Sequence, residues 1–177
     1  MEQYEIKNEI LNDMQNLVAQ SCEQFVSGEL DSDAFRNILS NIPNDFWLNT
    51  EAALNMIQIL VKDEDLYDMS LQKKVSFSKF ISSFLPQTFW KNRDGILRAT
   101  ELIVDNLISW CSFASFSDFT DILQFVSDDI RQDRYFVLSM VEMIAARQSS
   151  LDWNGDFEDI IPDSFLNVNL SFFEQSI

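Results

Sequence analysis

Ile42-Pro43-Asn44-Asp45-Phe46-Trp47-Leu48-Asn49 is a stretch that the chain writes more than once. It returns as Leu85-Pro86-Gln87-Thr88-Phe89-Trp90-Lys91-Asn92, and in worn form as Val126-Ser127-Asp128-Asp129-Ile130-Arg131-Gln132-Asp133. A last copy opens at Ile161-Pro162-Asp163-Ser164-Phe165. Proline disfavours helical geometry in the residue before it, so Pro43 and Pro86 each mark the end of an incoming helix. Asn49, Asn92 and Asp133 each stand six residues after the Pro, or after Ser127 in the third copy. Their side-chain oxygens accept a bond from an orphan helix N–H, so each predicts the N-cap of an outgoing helix. Leu54, Leu97 and Leu138 follow five residues beyond the caps, and each opens an apolar helical pattern. The unit is therefore a helix, a corner carrying Phe-Trp, a cap and a second helix. Phe46, Trp47, Phe89, Trp90, Ile130 and Phe165 are expected to fill the seams between neighbours.

The copies begin 43, 41 and 35 residues apart. Periods in that range belong to helix pairs that stack side by side. The fold expected is all-α: about three and a half stacked helix-pair repeats capped by a long N-terminal helix. Residues 1–177 read as one domain, with the N-terminal helix in 1–28 and units at 31–69, 70–112, 115–151 and 153–177. The first helix is expected over 3–26, where Ile10, Leu11, Met14, Leu17, Val18, Cys22 and Phe25 share one side and Gly28 supplies the stop. Asp31 is the expected cap of a second helix over 32–41. Lys62 to Asp68 reads as a compact acidic turn. Ser109 to Ser117 reads as a buried link into a short helix at 118–126; its alternation suggests a strand, but no partner strand is evident.

Composition agrees with a helical, globular chain. Three Gly and three Pro in 177 residues are too few for a turn-rich β fold, and 16 Phe and four Trp supply core volume. Cys22 and Cys111 lie far apart in apolar surroundings and are expected to be two buried thiols in a reducing, cytoplasmic compartment. No secretory signal is read at Met1–Glu5, and no apolar run approaches the ~18 residues of a membrane span.

The chain has no histidine, which removes His-based triads, His zinc sites and His acid–base work. No glycine-rich phosphate loop is present. Asp63, Glu64, Asp65 and Asp68 form the densest carboxylate group, but their order does not follow a calcium loop. No cofactor, no metal and no catalytic residue is expected. The charge is the strongest functional signal: 29 acidic against 12 basic residues, a net of −17. Residues 101–177 carry −11 of it and residues 1–100 carry −6. Such a field repels nucleic-acid phosphates and attracts basic surfaces. The expected partner is a protein with a basic surface, without direct nucleic-acid or membrane binding. Asp128, Asp129, Asp152, Asp156, Glu158, Asp159 and Asp163 are the candidate contact residues; the last five crowd one end of the chain and read either as a solvated face or as an anionic strip that imitates a phosphate backbone.

The pattern Pro-x-x-Phe-Trp-x-Asn before an apolar helix, over roughly 31–173, resembles short bacterial helical repeats of uncharacterised function, which implies recognition of a protein partner. In character the chain is also similar to small acidic phage proteins that inhibit bacterial defence, including anti-CRISPR and DNA-mimic proteins. That resemblance implies a non-enzymatic inhibitor covering a nucleic-acid-binding surface. Immunity proteins that neutralise bacterial toxins look alike for the same physical reason. A third reading, from a different class, is an adaptor repeat that binds through a groove of apolar and aromatic residues such as Trp47 and Trp90.

Overall fold

The computed structural model describes residues 8–112, 114–147 and 150–152. Within them the fold is all-α. In chain order the helices are α1 Asn8–Val26, α2 Ser32–Asn41, α3 Asn44–Leu48, α4 Thr50–Val61, α5 Glu64–Gln72, α6 Phe77–Ser82, α7 Arg93–Cys111, α8 Phe116–Leu123, α9 Asp128–Arg131 and α10 Arg134–Ala146. A single 3-10 turn, Phe89–Lys91, precedes α7. No helix among the described residues is long and apolar enough to cross a membrane.

The three caps form as their residue types dictate. Asn49 accepts from the N–H of Ala52, Asn92 from Gly95 and Asp133 from Phe136. Each ties down an N–H that has no partner within its own helix. Asp31 caps α2 through the N–H of Ala34. Gly28, at φ +82, ends α1, and the N–H of Leu30 reaches back to the Gln24 carbonyl. That left-handed turn is cheap only for glycine.

Each corner is itself a helical turn. Pro43 ends α2 but also starts α3, its carbonyl accepting from the Phe46 N–H at 3.0 Å. The Pro86 carbonyl accepts from the Phe89 N–H in the same way, but contrary to expectation α6 has already ended at Ser82, and the third corner is α9. Proline lacks an N–H, and the start of a helix leaves such groups unpaired in any case, so one residue performs both tasks.

Four segments depart further. Asp63-Glu64-Asp65 opens α5 rather than a turn: Asp63 accepts from the N–H groups of Asp65 and Leu66, and Leu66 is buried. Carboxylates at a helix N-terminus favour helix, which the charge run concealed. The stretch before α8 does contain a strand. Ala114–Ser115 pairs in parallel with Leu151–Asp152, a partner more than 30 residues away that no local pattern discloses. α7 runs on to Cys111, where Ser112 at φ +65 stops it. Finally α8 begins at Phe116, because Ser115 and Asp118 form a capping box.

α1 packs on α2, α4 and α5; α4 packs on α7, α7 on α10, and α6 on α8. The core runs through these contacts. Trp47, Phe35, Phe89 and Phe119 are fully buried, and Phe46, Trp90 and Ile130 nearly so. Phe165, the remaining expected seam residue, lies outside the described residues. An aromatic series links successive corners: Trp47 edges onto Phe89 at 6.2 Å, Phe89 onto Trp90 at 5.1 Å, and Trp90 stacks on Phe125 at 5.3 Å. The Trp47 Nε1–H donates to the Leu39 carbonyl. Asn106, a polar residue among the apolar positions of α7, donates to the Leu102 carbonyl.

Candidate functional site

Of the seven candidate carboxylates, Asp128 and Asp129 stand side by side at the start of α9, both exposed. Asp152 pairs with Ser115 in the short parallel strand pair of Ala114–Ser115 and Leu151–Asp152. Asp156, Glu158, Asp159 and Asp163 lie outside the described residues. Asp128 is paired with Arg131 one turn on. The Ser127 hydroxyl holds the Asp129 carboxyl below its ordinary range, helped by the N–H groups of Asp129 and Ile130 and by Lys91. Asp129 faces an open cavity of about 510 Å³ that touches all three corners, with Leu48, Lys91, Arg93 and Asp94 on its walls. Here the carboxylates of Asp94, Asp128 and Asp129 are matched one for one by Lys91, Arg93 and Arg131.

Asp133 is committed to structure. Besides capping α10 it lies 3.6 Å from Arg93, whose guanidinium sits 4.7 Å over the Tyr135 ring. The same relation holds one seam earlier, where the Thr50 hydroxyl donates to Asn92. In both seams the residue after one cap reaches the next cap. Asn92 also donates to the Trp47 carbonyl, so it ties the first corner to the second.

The indoles of Trp47 and Trp90 are in the core, with 0% and 3% of their surface exposed. Neither indole presents its face to solvent. Asp63, Glu64, Asp65 and Asp68 do not converge; no group of three or more metal-binding side chains is found among the described residues.

Two polar sites escaped the sequence pattern. Asp118 is buried between α6 and α8, accepting from the Ser78 hydroxyl at 2.6 Å and the Ser115 N–H at 2.9 Å. Burial pushes its carboxyl above the ordinary range against the pull of those donors, and nearby Asp121 adds to the rise. The Ser115-x-x-Asp118 spacing was a visible signal for the cap, though not for the burial. Cys111 is only half-buried, contrary to expectation, and its Sγ lies 2.7 Å from the Tyr67 hydroxyl. Cys22 is buried as expected, and burial pushes its thiol up to about 12, which keeps it a neutral, inert thiol.

Ion pairs account for most of the arginines. Arg36, Arg93, Arg98, Arg131 and Arg147 are each held by one or two carboxylates of this chain. Arg147 alone binds Glu101 and Asp105, clamping α10 to α7. Among the described residues, five of the chain's 12 cations are thus bound internally.

The chain matches no family model, no curated protein and no solved structure.

Proposed function

We propose that the protein is a non-enzymatic acidic binder that occupies a basic, nucleic-acid-binding surface of a partner protein, as an inhibitor of a bacterial defence complex would. The observation that carries this reading is the charge: −17 overall, with most arginines consumed by internal pairs. A rigid anionic surface speeds encounter with a basic partner and excludes nucleic acid from the same site. In this reading the chain is a stack of helix pairs, 31–69, 70–112, 115–151 and 153–177, behind the N-terminal helix. The recurring cap-to-cap contacts at Thr50–Asn92 and Arg93–Asp133 support it. The stack aligns the anionic surface; Asp128 and Asp129 lie on one corner of it, and the other candidate aspartates follow in the chain. An immunity protein against a bacterial toxin would need the same surface, and the two differ in the partner recovered.

Capture from bacterial lysate at low and high salt tests the proposal. Partners retained at low salt, released at high salt and displaced by added DNA or RNA are the result expected. Capture that ignores both salt and nucleic acid would remove the mimic.

A further inference from the structure

α4 and α7 lie against one another, and each turns an i, i+3, i+4, i+7 stripe to the surface between them: residues 51, 54, 55 and 58 on α4, and 98, 101, 102 and 105 on α7. Together they enclose an open groove of about 350 Å³. Seven residues at 1.5 Å each give it a length of about 10 Å, or two helical turns. Its floor is apolar, made by the half-buried Leu54 and Leu102. Its rim is polar, with Glu51, Glu101 and Asp105 as the carboxylates and Asn55 and Gln58 as uncharged amides.

The cations already present do not close it. Arg98 pairs with Glu51, but both are largely exposed, at 52% and 73% of their side-chain surface. A pair that wet contributes under about 1 kcal/mol, so Glu51 can exchange Arg98 for another cation at small cost. Arg147 approaches Glu101 and Asp105 from α10. Three carboxylates against two cations leave the rim anionic around an apolar floor. The pattern complements a helix with leucine-sized side chains on one stripe and lysine or arginine beside them.

We infer that the α4/α7 groove receives a basic amphipathic helix of the partner protein, its apolar side chains on Leu54 and Leu102 and its cations against Glu51, Glu101 and Asp105. This rests on the reading of the protein as a binder of basic surfaces, and it adds a place and a shape of ligand to that reading.

The probe is a labelled synthetic lysine–leucine peptide of amphipathic helical pattern, with a lysine–glycine peptide of equal charge as comparison, followed by fluorescence anisotropy at ~150 mM salt. Asn55→Lys with Gln58→Lys puts two cations on the groove rim without touching an ion pair, and long lysines reach solvent from half-buried positions. Asn12→Lys with Asn16→Lys makes the same charge change on the exposed side of α1. The amphipathic peptide should bind the wild type, bind the groove variant roughly tenfold more weakly, and bind the α1 variant within about twofold of wild type, since like charges at a contact oppose binding far more than distant ones. Circular dichroism confirms that both variants stay folded. Equal loss in the two variants, or equal affinity for the two peptides, overturns the groove while leaving the acidic binder standing. No binding of either peptide by the wild type overturns both.

Discussion

Replacing Asn92 by alanine removes three hydrogen bonds at once. Its Oδ1 accepts from the Gly95 N–H at 3.0 Å and the Thr50 hydroxyl at 3.1 Å, and its Nδ2 donates to the Trp47 carbonyl at 3.0 Å. An N–H on one side and a carbonyl on the other fix the way the amide points. The side chain is nearly buried, with 9% exposed. Loss of the cap costs about 1 kcal/mol. The buried Trp47 carbonyl, deprived of its donor, adds about 1–3 kcal/mol, and the Thr50 hydroxyl adds about 0.5 kcal/mol because it can turn to water. The expected total is about 3 kcal/mol, or a fall in Tm of roughly 6–12 °C for a chain of this size. Asn49→Ala removes a cap on an exposed side chain and should cost only about 1 kcal/mol. Asn92→Asp keeps both acceptor bonds, loses the donor and should fall between the two. Urea and thermal denaturation of the three variants measure the series. If Asn92→Ala costs no more than Asn49→Ala, then Asn92 is an ordinary cap and the bond between corners contributes nothing.

Other substitutions probe the same framework. A Cβ on Gly95 would meet the Asn92 side chain at 2.6 Å, so Gly95→Ala should destabilise even though alanine gains about 1 kcal/mol of helix propensity; a higher Tm would contradict it. Trp47→Ala should cost about 3–5 kcal/mol in chemical denaturation, because it empties a fully buried site. Asp118 is raised in the folded state above its unfolded value of about 3.9, so its contribution is fully present below that value and is lost as pH rises through the folded one. The stability advantage of wild type over Asp118→Asn, read from urea midpoints, should therefore shrink between acid and neutral pH; an advantage that grows would contradict the sign. Arg147→Ala leaves Glu101 and Asp105 as unshielded like charges one turn apart and should cost about 1–2 kcal/mol, a deficit that narrows in high salt.

What was legible in the sequence is what local chemistry decides. Caps need one residue type at one spacing, so Asn49, Asn92 and Asp133 were readable before any contact was known. α2 and the burial of Phe46, Trp47, Phe89 and Trp90 followed from periodicity and from the recurrence of the corner. α5 was obscured because its first turn is acidic and its apolar positions are few. The strand at Ala114–Ser115 depends on a partner far along the chain, and pairing of that kind leaves no local trace. The burial of Asp118 follows from the approach of α6, which is a tertiary fact. The anionic strip was read from residue counts, and counts carry no geometry: Asp128 turned out to be paired with Arg131. The α4/α7 groove has a legible stripe on each helix, but only their juxtaposition makes a site.

The most direct test is the dissociation constant of the captured partner across a salt series from ~50 to ~500 mM, with duplex DNA as competitor at each point. A partner held by the anionic surface at its nucleic-acid-binding site loses affinity steadily, tenfold or more across the series, and DNA competes at low salt. An affinity that stays level with salt, or a complex that DNA leaves intact, would contradict the acidic binder.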